Sequence, residues 1–188
     1  MPSQALVRWH TDRAARLNEI DTQCAACVSA PVPNPPLVDE NLRAYAVLLS
    51  AHFQGFCRDL YTECSLVVAS KVRTSLQPLV QEQFAFHLSL DHGNPTHANI
   101  KKDFERFGFK LGLDVAAPAN PLRLTHLSQL NEWRNVAAHQ SNRTPVGVTL
   151  TLPNLQTWRN SCDGLAVSLD AVMYNRVRTL LRRTPWVP

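Results

Sequence analysis

The feature that most restricts the fold is a long run of apolar residues at helical spacing: Leu42, Ala46, Leu49, Phe53, Phe56, Leu60, Cys64 and Val67. Steps of three and four keep one stripe facing inward for about seven turns, a pattern that no strand can use. A helix of that length serves as a spine against which the other segments are laid. Asp39 and Glu40 are placed to cap it, and its polar flank carries His52, Gln54, Arg58, Asp59 and Glu63. An Arg-Asp pair there reads first as a solvated or salt-bridged couple.

The rest of the chain repeats the same period. Leu6, Trp9, Leu17, Ile20, Cys24 and Cys27 predict one helix from Ser3 to about Val28, closed off by Pro31, Pro33, Pro35 and Pro36 in a connector over 31–37. Thr74 to Leu90 reads as a further helix with Pro78 in its first turn, stopped by Asp91-His-Gly-Asn-Pro95. Thr96 to Gly112 reads as another, with Ile100, Phe104, Phe107 and Leu111 inward. Lys101, Lys102, Arg106 and Lys110 form its other face, read as a solvated ridge that could also track a phosphate backbone. Val148 to Leu152 alternates like a short strand but has no candidate to pair with, so it is treated as a loop. The last helix starts at Thr151 or Asn154 and carries Leu155, Trp158, Cys162, Leu165, Leu169, Val172, Met173, Val177 and Leu180, with Gly164 as its weak point. The expectation is an all-α, up-and-down bundle of about five to six helices without significant sheet. It forms one domain over 1–188: an N-terminal helix to residue 30, the connector, and a core over 38–183.

Composition narrows the function classes. At 188 residues and 45% hydrophobic, the chain can bury one good core. No window approaches 18 uninterrupted apolar residues, and Arg8, Asp12, Arg13, Arg16 and Glu19 break up the start, which predicts a cytoplasmic protein with no membrane partner. The five cysteines, Cys24, Cys27, Cys57, Cys64 and Cys162, are odd in number and lie in helical patterns, so they read as plain thiols. The Cys24-x-x-Cys27 pair has no second metal-ligand pair to complete it. A net charge of +4 permits a polyanionic partner, and 15 of the 19 basic residues are arginine, which suits bidentate phosphate contacts. A helix-turn-helix DNA reader fits poorly, because the basic residues are scattered over several helices.

Chemistry concentrates in Gln129-Leu-Asn-Glu-Trp-Arg-Asn-Val-Ala-Ala-His-Gln140. At about 100° per residue, Leu127, Leu130, Trp133, Val136 and Ala137 share a core half. Asn135 and His139 fall on the opposite half with Ser128, Asn131 and Glu132, and Arg134 lies at the border. In an arbitrary helix such an edge is simply solvated; here it displays a guanidinium, an amide and an imidazole together.

Arg134-Asn135-Val-Ala-Ala-His139 resembles the R-N-x-x-x-H signature of the HEPN superfamily. Arg43-Ala-Tyr-Ala-Val-Leu-Leu-Ser-Ala-His-Phe-Gln-Gly-Phe-Cys-Arg-Asp-Leu60 looks like the long core helix of RiboL-PSP-type HEPN proteins, and Asn99-Ile-Lys-Lys-Asp-Phe-Glu-Arg-Phe-Gly108 looks like their middle helix. The likeness extends over most of residues 40–180, and departs at Gln54, where the spine of that group often carries an acid. It implies a metal-independent endoribonuclease without cofactor, acting as a homodimer. His139 would be the base or acid, since an imidazole titrates near about 6.5. Arg134 would hold the scissile phosphate, and Asn135 would orient the imidazole or bind the phosphate. A second His139 from the partner subunit would supply the second proton-transfer group, and use of the 2′-hydroxyl makes RNA the substrate. Arg143, Arg58 and Asn131 are the expected RNA contacts. The implied setting is a toxin held by a cognate antitoxin or other regulatory protein, or an anti-phage defence effector. The alternative is an inactive HEPN dimer that binds a protein or nucleotide.

Overall fold

The computed structural model describes residues 1–32, 34–139, 145 and 147–186. Ser3 opens the first helix by accepting the Leu6 N–H at 3.0 Å. Helical backbone then runs through α1 (Gln4–Arg8), a π turn (Trp9–Arg13) and α2 (Ala14–Val28). The expected Ser3–Val28 helix is thus continuous but widened by one π turn. Its first N–H groups are satisfied from outside: Gln4 and Ala5 donate to the two carboxylate oxygens of Glu63, each at 3.0 Å, and Ser3 N–H donates to Asp170 at 3.2 Å. Trp9 lies against Phe53 and Phe56, with ring centroids 5.8 Å away in both cases.

The spine, α3 (Pro35–Ala69), starts four residues before the expected Asp39 cap and inside the expected connector. Asn34 accepts the Leu37 N–H at 3.3 Å, and Pro35 and Pro36 occupy first-turn positions where a missing donor does no harm. Leu42, Ala46, Leu49, Phe53, Phe56, Leu60 and Cys64 are buried as expected, whereas Val67 is half-buried. The two middle helices are shorter than their apolar periods predicted. After a 3-10 turn (Thr74–Leu76) come α4 (Gln77–Ala85) and α5 (Ser89–His92), with His87 between them at φ 48°. Two side chains impose that break. Arg106 donates to the Phe86 and His87 carbonyls at 2.6 and 2.8 Å, and the fully buried Asp103 carboxylate takes the Ser89 and Leu90 N–H groups at 2.9 and 2.8 Å. α6 (His97–Phe104) tightens into a 3-10 turn (Glu105–Phe107) and stops at Gly108, whose φ of 74° suits a residue without a side chain. The four-cation ridge therefore does not form: Arg106 is turned to backbone carbonyls, Lys101 lies 3.9 Å from Glu105, and Lys110 is past the helix end.

α7 (Asn120–Ala138) and α8 (Leu152–Leu181) complete the bundle, with Thr151 capping α8 through the Asn154 N–H at 3.3 Å. Among the described residues there is no strand, and Val148–Leu150 is loop. The spine packs against α1, α2, α7 and α8, and α7 lies along α8, an all-α bundle as expected. Gly164, the weak point of α8, faces the Arg123 guanidinium, which occupies the place a Cβ would take. Cys24, Cys57, Cys64 and Cys162 are buried free thiols, and Cys27 is a half-buried one. No helix among the described residues is long and apolar enough to cross a membrane.

Candidate active site

α7 carries the motif, and its rotation is fixed by large side chains. Leu127, Leu130 and Trp133 are buried; the Trp133 indole N–H donates to the Val148 carbonyl at 3.1 Å, and the Arg43 guanidinium lies 6.0 Å over the indole ring. Asn120 anchors the other end of the helix by donating to the Leu113 carbonyl at 2.7 Å. With its apolar stripe held this way, the C-terminal turn of α7 presents its remaining side chains outward.

Arg134 is half-buried, while Asn135 and His139 are exposed. His139 is the C-cap, at φ −101° and ψ 8°, and its N–H still donates to the Asn135 carbonyl at 3.1 Å. The imidazole therefore stands at the mouth of the helix with its backbone tied one turn back to Asn135. The Asn135 side-chain oxygen accepts twice, from the Asn94 amide at 2.7 Å and from Arg134 Nη1 at 3.3 Å. Because the oxygen is occupied, the amide presents its NH2 donors to an incoming group. A donor of that kind suits a phosphate oxygen better than it suits a proton-bearing partner.

The expected RNA contacts fare differently. Asn131 is 4% exposed, with its oxygen accepting from Ser50 Oγ at 3.0 Å and its NH2 donating to the Pro95 carbonyl at 3.3 Å. It clamps α7 to the spine and to the loop before α6, and both ends of its amide are taken, which removes it from the set of RNA contacts. Arg58 is more than half exposed and pairs with Asp91 at 2.8 Å, not with its neighbour Asp59. Arg143 lies outside the described residues.

Periodicity missed the role of the segment 91–95, which it treated only as a helix stop. Gln54 on the spine donates to the Leu90 carbonyl and, at 2.9 Å, to the Gly93 carbonyl; Asn99 donates to the Asn94 carbonyl at 2.8 Å. Those bonds hold Asn94 where it can reach Asn135. An asparagine in a turn is too common for this 41-residue contact to be read in advance.

Chemically, the exposed end of α7 offers a guanidinium, a set of neutral donors and an imidazole. Among the described residues no three His, Cys, Asp or Glu side chains converge as a metal ion would require. No curated protein and no solved structure matches the chain. A family model does: RiboL-PSP-HEPN, over residues 11–175. That match takes in the spine, the loop that orients Asn135 and the whole of the motif helix, so the chain belongs to the RiboL-PSP-HEPN family.

Proposed function

We propose that the protein is an endoribonuclease needing no metal ion, which cuts RNA by attack of a ribose 2′-hydroxyl at a site assembled from two copies of the chain. The observation that carries this reading is the grouping of Arg134, Asn135 and His139 at one solvent-facing end of α7, with the Asn135 oxygen held so that its donors point away. In the reaction the 2′-oxygen bonds to phosphorus as the 5′-oxygen leaves with a proton, giving a cyclic phosphate and a free 5′-hydroxyl. One imidazole takes the 2′ proton and a second supplies the 5′ proton, so the second is the His139 of a partner copy. Arg134 balances the charge that gathers on the phosphate, and Asn135 donates to one of its oxygens. The biological role that goes with such chemistry is a toxin restrained by an antitoxin or another regulator, or an effector released during phage infection.

The test is cleavage of a structured RNA by purified protein in EDTA. Fragments ending in 5′-hydroxyls are expected, and His139→Ala should slow their formation by about a thousandfold with an unchanged circular dichroism spectrum. RNA that stays intact while both proteins bind it equally would replace this reading with a non-catalytic HEPN module.

A further inference from the structure

Beside the π turn lies a polar cavity of about 200 Å³, lined by Arg8, Asp12, Arg13, Arg16 and His52. It sits on the other flank of the spine from the motif: Ser50 and Gln54 face α7 and its loop, whereas His52, Gly55 and Asp59 face the N-terminal helix. A π turn adds a residue to one turn of helix and re-aims the side chains around it; such turns concentrate at functional sites. Here it directs Arg13 onto the spine. Gly55 leaves the room for this, since a Cβ at that position would run into the guanidinium.

The hydrogen bonding in the wall of the cavity is incomplete. Arg13 donates through Nη2 to Asp59 at 2.7 Å, and its Nη1 lies 3.3 Å from His52 Nδ1. A guanidinium can only donate, so Nδ1 accepts and the imidazole proton sits on Nε2. That Nε2–H is buried without a partner among the described residues, and so is the Arg13 Nε–H. His52 itself is 9% exposed. Burial first, then the charges of Arg13 and Arg16, lower the pKa of His52 and keep it neutral, a fixed donor. Asp59 answers Arg13 and, at 3.6 Å, Arg8, and Asp12 stands on the exposed rim. Arg16 adds a third guanidinium to the lining. This excess of guanidinium at the lining, backed by two buried unpartnered donors, suits a ligand that is anionic and has several oxygens, which describes a phosphate.

We propose that this cavity is a phosphate-binding site separate from the Arg134–His139 motif, taking a phosphate group of a nucleotide or of a nucleic-acid strand through Arg8, Arg13, Arg16 and His52. The site stands independently of the cleavage reaction. It is tested by titrating the full chain with inorganic phosphate, with a 5′-mononucleotide, and with a 2′-O-methyl RNA oligonucleotide that cannot be cut, following the His52 ring by NMR. A saturable shift of the His52 resonances is expected. Arg16→Ala, at an exposed position, should weaken binding about tenfold, Gly55→Ala should do so by displacing Arg13, and His139→Ala should leave it unchanged. Binding of the mononucleotide as tight as that of the oligonucleotide identifies a free nucleotide as the ligand; oligonucleotide binding tenfold tighter or more identifies a strand. Absence of a saturable shift with all three probes into the millimolar range overturns the proposal, as does equal affinity in Arg16→Ala.

Discussion

Gln54 is a single amide nitrogen serving two carbonyls, those of Leu90 and Gly93. Gln54→Glu removes both donors, and an ionised carboxylate is left facing two carbonyl oxygens. The variant is expected to lose about 2–3 kcal/mol at neutral pH. The introduced carboxyl would be held above its ordinary value, because only its protonated form can donate. The folded state then binds that proton more tightly than the unfolded chain does. Stability is fullest below the unfolded value of about 4.3 and falls as pH rises through the folded one. Urea melts of variant and parent at several pH values check this; a loss independent of pH rejects it. Asn131 makes the related point about what a single sequence displays. The wheel correctly set Asn135 and His139 outward, yet Asn131, four residues before Asn135, is buried because Ser50 and the Pro95 carbonyl close over it. Both partners come from distant segments, so nothing in the local period distinguishes the two asparagines. Asn131→Ala should accordingly lower the melting temperature while leaving the turnover of the folded fraction unchanged, a pairing that thermal melts and single-turnover assays resolve.

Elements were legible wherever an apolar stripe ran long, as in α3 and α8, and misread where a side chain from elsewhere cut the backbone. The stretch 74–90 keeps a helical period, but Arg106 and Asp103 draw off the backbone groups around Phe86–Leu90 and split it. Gly164 shows the converse: a local weakness kept for a partner's sake. In an exposed helix Gly→Ala gains about 0.5–1 kcal/mol, but here the new methyl collides with the Arg123 guanidinium that Asn120 holds at 2.9 Å. Gly164→Ala should therefore destabilise the parent and stabilise an Arg123→Ala background, a change of sign that a double-mutant cycle of denaturant melts would reveal. The docking of α1 on α8 carries a pH dependence of its own. Burial, above all, raises the Asp170 carboxyl over its ordinary range, while the bonds from Ser3 pull it the other way. Since the raised group keeps its proton more firmly when folded, its contribution is complete below about 3.9 and declines as pH climbs through the folded value. Asp170→Asn retains an acceptor for the Ser3 N–H without the charge, so its melting temperature should gain on the parent's between about pH 4 and pH 7; equal pH profiles would reject this.

For the whole molecule, the sequence leads to a bundle with a motif at one end of a helix, and stops there, because no periodicity records what one copy does with another. The proposal that two copies share the site is therefore best tested by counting. Suppose cleavage needs the two imidazoles of a dimer in a single event, one to accept a proton and one to deliver it. Mixing wild-type and His139→Ala chains and allowing subunits to reassort gives dimers with two, one or no histidines in binomial proportion. At equal amounts only about a quarter of the dimers hold both, so the rate should be about a quarter of that of the undiluted wild type and should follow the square of the wild-type fraction throughout. A chain that cuts alone gives about half at the same mixture and a straight line throughout. Exchange can be driven by brief exposure to low denaturant and verified with differently tagged chains, so a linear result cannot be laid to subunits that failed to mix. The curvature reports on the shared crevice and the absolute rate on activity. A straight line rising to a measurable wild-type rate would remove the dimeric site and leave the ribonuclease, whereas a zero rate at every fraction would remove both.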